Sequence, residues 1–191
     1  MFALIFGLSF LANAQDVQKD QPKGYQFTDI KRLPATSVKD QARAGTCWSW
    51  SGISFFESEM IRMGKEPIDL SAMYIVRHAY SDKATKFVRL HGNMNFAVGG
   101  AFCDVMHVIK NYGIVPMDVY KGLNYGEPNH AFGEIDDVLA GYINAVIKNS
   151  NKKLSTAWKK GFDGILDAYL GEEPEKFEYK GKEYTPRTFA D

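Results

Sequence analysis

From Cys47 to about Arg62, the positions Trp50, Ile53, Ser54, Glu57 and Ile61 recur at intervals of three and four, the period of one helix face. Gly64 stops that helix. Asp69-Leu70-Ser71 then opens a second, which carries Met73, Tyr74, Val76, Arg77, Ala79 and Tyr80 to about Ala84. Residues 85–100 are rich in glycine and asparagine and are expected to form a connection. A third helix is expected from about Ala101 to Tyr112, capped by Gly113. Val115-Pro116 begins an extended segment to about Tyr120, and residues 121–130 form a loop. Two further helices follow, at about 131–148 and 155–170. Phe177-Glu178-Tyr179 and Glu183-Tyr184 then flank Lys180-Gly181-Lys182 as a hairpin. Thr185-Pro186 is a helix start, and the chain ends about one turn later. One turn does not hold itself, because nucleation is costly. The expectation is therefore a chain cut from a longer protein, the alternative being a frayed natural tail.

The N-terminal residues follow neither rhythm. Phe2 to Ala12 is apolar but too short to span a bilayer, and it ends in the small-x-small sequence Ala12-Asn13-Ala14. Residues 1–14 read as a secretory signal peptide, although no Lys or Arg precedes the apolar run; the alternative is a buried terminal strand or helix. Export would place the protein in the periplasm or outside the cell. Residues 15–35 are polar and aperiodic and read as an extended arm.

Composition narrows the classes of function. The chain has 191 residues, 45% of them hydrophobic, enough for one globular domain with a sizeable core. Its 23 basic and 23 acidic residues cancel, which gives no electrostatic footprint for nucleic acid or a membrane surface. No cofactor is expected. There are two cysteines, Cys47 and Cys103, too few for a disulfide framework. If Cys47 is catalytic it stays free, and Cys103 is expected to be a buried, unpaired, small apolar residue.

The chemistry concentrates in Gln41-Ala42-Arg43-Ala44-Gly45-Thr46-Cys47-Trp48. A thiolate, not a thiol, is the nucleophile, and a cysteine in the first turn of a helix faces backbone N–H dipoles that favour the charged form. Gly45 lets the chain turn tightly before the helix. The Gln41 amide and the Cys47 backbone N–H can both donate to a developing oxyanion. Trp48 would wall the site against water. A buried structural thiol beside two tryptophans is the competing reading of Cys47.

This segment resembles the active-site run of papain-like cysteine peptidases, in which a Gln lies six residues before the Cys and an aromatic residue follows it. Further segments resemble the bleomycin hydrolase and aminopeptidase C group. These are Asp69-Leu70-Ser71-Ala72-Met73-Tyr74, Tyr80-Ser81-Asp82-Lys83-Ala84, Gly99-Gly100-Ala101-Phe102 and Ile109-Lys110-Asn111-Tyr112-Gly113-Ile114-Val115-Pro116. The resemblance covers about Gly24 to the C-terminus. It implies an α+β, papain-like fold, of which this chain supplies the predominantly helical lobe that bears the nucleophile. It also implies a thiol aminopeptidase acting on peptides. Cys47 and Gln41 would be catalytic, with Trp48, Gly99 and Gly100 binding the substrate backbone. Glycine, lacking Cβ, lets another main chain approach closely; on the dipeptide alone, Gly99-Gly100 also fits a plain turn. Some relatives form hexamers with inward-facing sites, and most are cytosolic.

A cysteine peptidase also needs a histidine and a residue to orient it. In this family they follow the Cys by roughly 130–150 residues. That window opens here near Phe177 and holds no histidine. His78 and His107 fall in helical patterns and His91 in the glycine-rich connection. Asn129-His130-Ala131 and Lys148-Asn149-Ser150 mimic the family's His-Ala and Asn-Ser pairs, but they flank a helix rather than strands. The resemblance implies that the base and its partner lie beyond residue 191, on a β-rich lobe. The 191 residues alone are then expected to be inactive. A base-less module that grips peptides without cutting them is the alternative.

Overall fold

The computed structural model describes residues 24, 25 and 27–191, so the expected signal sequence lies outside the described residues. The chain divides into two units, Met1–Leu33 and Pro34–Asp191. In the first, residues 24, 25 and 27–33 are exposed and without helix or strand. Tyr25, Phe27 and Ile30 stand in solvent.

The second unit is helical. Helices α1 (Cys47–Arg62), α2 (Ala72–Arg89), α3 (Phe102–Asn111), α4 (Gly133–Ile147) and α5 (Ala157–Leu170) are followed by strands β1 (Phe177–Tyr179) and β2 (Lys182–Tyr184) and a last helix, α6 (Pro186–Ala190). The strands form an antiparallel hairpin in which Phe177 faces Tyr184 and Tyr179 faces Lys182. No helix among the described residues is long and apolar enough to cross a membrane.

Helix α2 is the hub. Twelve of its 18 residues are buried, so its faces are covered nearly all round. It packs against α1, α3, α4 and α5. Its start follows the sequence: the Ser71 hydroxyl accepts from the Tyr74 N–H at 3.0 Å and donates to the Tyr120 carbonyl at 2.6 Å. Its end does not. The helix runs five residues beyond Ala84, because Phe87 and Val88 continue the buried face and Lys86 and Arg89 suit the negative end of the dipole. Gly92 at φ +81° then returns its N–H to the Phe87 carbonyl. The expected extended run at 115–120 is also shorter. Pro116 bridges Leu70, and the chain then turns, with the Val119 and Tyr120 N–H groups both on the Pro116 carbonyl.

The one-turn α6 persists because other elements hold it. Arg187 donates to the Ile109 and Lys110 carbonyls at 2.6 and 2.7 Å, closing the C-terminal end of α3. Helix α1 crosses α3 at Gly52, where a Cβ would lie 2.8 Å from Val105. Glu57 is 1% exposed on α1 and still carries a full set of partners. Its Oε2 accepts from Thr36 at 2.5 Å and from Lys39 at 2.9 Å, and its Oε1 accepts from the Leu70 N–H at 2.8 Å. Lys39 also pairs with Asp69 at 2.7 Å. Burial disfavours the Lys39 ammonium, but the hydrogen bonds to Asp69 and Glu57 outweigh it and raise its pKa.

Replacing Glu57 by Ala strands the Leu70 N–H and leaves Lys39 with Asp69 as its one carboxylate and the Thr36 hydroxyl at 3.1 Å. We expect Glu57→Ala to lose about 3 kcal/mol of stability, the usual cost of removing one partner of a buried pair. Urea unfolding of the variant checks this, and a loss below about 1 kcal/mol, the scale of an exposed pair, would contradict it.

Candidate active site

Two loops meet over the N-terminus of α1. The first is 40–46. Asp40 accepts from the Ala42 N–H at 2.7 Å, Ala44 returns its N–H to the Gln41 carbonyl, and the chain passes Gly45 at φ +65°. Thr46, the N-cap residue, is wholly buried, and its carbonyl accepts from the Ser49 and Trp50 N–H groups at 2.9 and 3.3 Å. Its hydroxyl accepts from the Trp50 indole at 3.1 Å instead of capping the helix. Cys47 is therefore the first residue of α1, exposed and free. No hydrogen bond among the described residues uses the Cys47 or Trp48 backbone N–H. The helix thus presents unspent donors at its positive end, beside the sulfur.

Gln41 begins the same loop. Its Oε1 is buried without a partner, and no side-chain hydrogen bond among the described residues engages its NH₂ end. That end is an uncommitted donor. Arg43 fixes the loop from behind in a parallel bridge with Ala131, giving its N–H to the His130 carbonyl at 2.9 Å and taking the Phe132 N–H at 3.2 Å.

The second loop, 97–101, lies against the first. A Cβ on Gly45 would stand 3.2 Å from Val98, and one on Gly100 would stand 2.5 Å from the Trp48 indole. Trp48 is 8% exposed and donates from Nε1 to the Val98 carbonyl at 3.0 Å. Expected as a wall of the site, Trp48 packs its indole against Gly100. Gly99 has nothing within 4 Å of where its Cβ would be. Sequence reasoning passed over Lys83, whose ammonium reaches this loop from α2 and bonds the Ala97 carbonyl at 3.3 Å and the Gly99 carbonyl. A lysine in an amphipathic helix reads as a solvated face, and its one signal was its place in a segment with a family resemblance.

No hydrogen bond among the described residues joins a histidine to Cys47. His78 is buried between Tyr74 and Tyr112 with Nε2 3.0 Å from Glu173. His107 pairs with Asp82 at 3.1 Å, and His91 lies in the turn after α2. His130 packs its ring on Trp50 and Phe132, with Nδ1 buried and unpartnered, and burial lowers its pKa. Asn149 closes the end of α4, donating to the Val146 carbonyl at 2.7 Å. Cys103 departs from expectation. It is exposed, because in α3 the inward positions fall to Val105 and Val108, and the 103 side projects to solvent. Among the described residues no group of three or more His, Cys, Asp or Glu is placed to hold a metal ion.

The model of the papain family cysteine protease matches residues 22–159. The chain belongs to the papain family of cysteine proteases. The papain fold is seen again in a solved structure, PepW from Lactobacillus rhamnosis HN001, at 20% identity and a TM-score of 0.56. That match covers 82% of this chain and 43% of the PepW chain, so this chain spans less than half of that protein's length. No curated protein matches. The mostly helical architecture, with one hairpin among the described residues, is the helical lobe of this fold, and the papain-family match begins ahead of the Gln41–Cys47 loop.

Gly45 is the point at which the two loops depend on one backbone geometry. Gly45→Ala adds a Cβ to a left-handed residue and presses it on Val98. We expect a cost of about 1–2 kcal/mol, seen as a fall in Tm of roughly 2–8 °C. An unchanged melting curve would show that the turn tolerates a side chain.

Proposed function

We propose that the protein containing this chain is a thiol peptidase that cuts through a Cys47 acyl-enzyme. The observation that carries this is Cys47 itself. It is an exposed, unpaired thiol at the first position of a helix, with its own N–H and the Gln41 amide both uncommitted. The thiolate attacks the scissile carbonyl carbon and a C–S bond forms. The oxyanion rests on the Cys47 N–H and the Gln41 NH₂. The C–N bond then breaks, the amine leaves with the proton first taken from the thiol, and water hydrolyses the thioester. Gly99 and Gly100 hold the substrate backbone. The base and its orienting residue are a His and an Asn beyond residue 191. The aminopeptidase mode rests on the segments resembling the bleomycin hydrolase group. Export, to the periplasm or beyond, rests on residues 2–14, and a hexamer would follow only from that same resemblance.

A second reading has one observation in its favour, the absence of any histidine bonded to Cys47 among the described residues. On it, the protein binds peptides and does not cut them.

An epoxysuccinyl peptide separates the two. Rapid alkylation of the intact protein, lost in Cys47→Ala, is the expected result; peptide binding without alkylation would establish the base-less reading. Gln41→Ala should lower peptide turnover by about 10²–10³-fold, measured on a fluorogenic peptide amide. A change below roughly threefold would remove Gln41 from the oxyanion site.

A further inference from the structure

We infer that Lys83 is the positioning residue of the Gly99-Gly100 strip, setting the peptide plane that a substrate backbone meets. The inference rests on the peptidase reading above and names a residue which that reading does not need.

Lys83 stands on α2, half-buried, with its Nζ 5.4 Å from the centre of the Trp48 ring and 5.8 Å from that of Tyr80. It donates to the Ala97 and Gly99 carbonyls, while the Trp48 indole takes the Val98 carbonyl between them. Three successive carbonyls are thereby tied to α1 and α2. In a trans peptide the C=O and the following N–H point in opposite directions, and no cis bond occurs among the described residues. Drawing the Gly99 oxygen onto Lys83 therefore turns the Gly100 N–H away from Lys83. Neither the N–H nor the C=O of Gly100 is used by any hydrogen bond among the described residues. The next N–H, on Ala101, is already taken by Asp104 at 2.8 Å. Gly100 thus offers a free donor and a free acceptor together, next to the glycine that leaves open space, whose own N–H is likewise unused among the described residues.

An apolar side chain of the same length would fill the space beside the Trp48 ring more cheaply. Burying an ammonium costs free energy unless it is bonded, and burial lowers the Lys83 pKa despite Asp104 and Asp136. What the charge supplies is donors, and two of its three go to the 97–101 loop, on the Ala97 and Gly99 carbonyls.

The test compares two reagents on one thiol. Iodoacetamide needs only an accessible sulfur; an epoxysuccinyl dipeptide needs the strip as well. In the intact protein, Lys83→Met should slow the epoxide about tenfold or more, the scale of a lost charge-assisted hydrogen bond, and leave iodoacetamide labelling of Cys47 within about twofold. Lys83→Arg, which keeps the donors, should recover most of the epoxide rate. Trp48→Phe, which loses the bond to the Val98 carbonyl and part of the ring under Gly100 but leaves both Lys83 bonds in place, should also show a selective loss, and it carries the test if Lys83→Met does not fold. Equal slowing with both reagents, or no slowing with either, overturns the role of Lys83 and leaves the peptidase reading intact. A wild-type protein that iodoacetamide labels and the epoxide does not would overturn that reading and the Lys83 inference with it.

Discussion

A single buried carboxylate organises the ground beneath the site. Glu57 reaches the loop before α1 through Thr36 and Lys39, and the segment before α2 through the Leu70 N–H. Neither segment has a ladder of its own to fix it; one isolated bridge, between Leu70 and Pro116, is all that the second carries. A charge removed from water is tolerated only when its lone pairs are taken. That requirement makes the cluster close to all-or-none, and it leads directly into Asp40, Gln41 and the turn at Gly45. The thiol sits where it does because the chain in front of it is held at Glu57 and, from the far side, at the Arg43–Ala131 bridge.

The reactive end of α1 is consequently built from backbone more than from side chains. A hydroxyl that could have capped the helix instead accepts from an indole, so the helix dipole and its spare N–H groups remain available. The facing loop is built in the same way. Glycines leave its outer side open, and an indole and an ammonium occupy its inner side. A main chain presented on both sides of a sulfur suits ligands recognised by their own main chain.

Much of this was legible in the sequence. Periodicity placed α1 at its observed bounds, and the helix-start and turn residues placed α2, α6 and the hairpin. The Gln41-to-Cys47 spacing marked the loop because it reflects a local requirement, a turn followed by a helix start. What escaped depends on partners far along the chain. The last five residues of α2 looked like connection, since glycine and asparagine in the segment outweighed two apolar residues whose burial comes from other helices. Cys103 was expected inside on residue type alone, yet the phase of α3, set by Val105 and Val108, turns it outward. Glu57 was counted toward a helix face with no sign that it was buried, and Lys83 looked like any solvated lysine. Pairings separated by 13–21 residues, or by the 16 between Lys83 and Gly99, leave no periodic mark.

The outward turn of Cys103 gives the protein an internal standard. Both cysteines are exposed, both are unpaired, and both stand in the first turn of a helix, Cys47 at the opening of α1 and Cys103 one residue into α3. The pull of a helix end on a sulfur is common to the two. They differ in what surrounds them. Asp104 lies in the first turn of α3, already committed to the Ala101 N–H, whereas Cys47 has the Gln41 loop and the glycine strip. The ratio of their reactivities within one molecule therefore reads the whole surroundings of Cys47 against a helical thiol that has Asp104 for a neighbour, free of differences in concentration or folding.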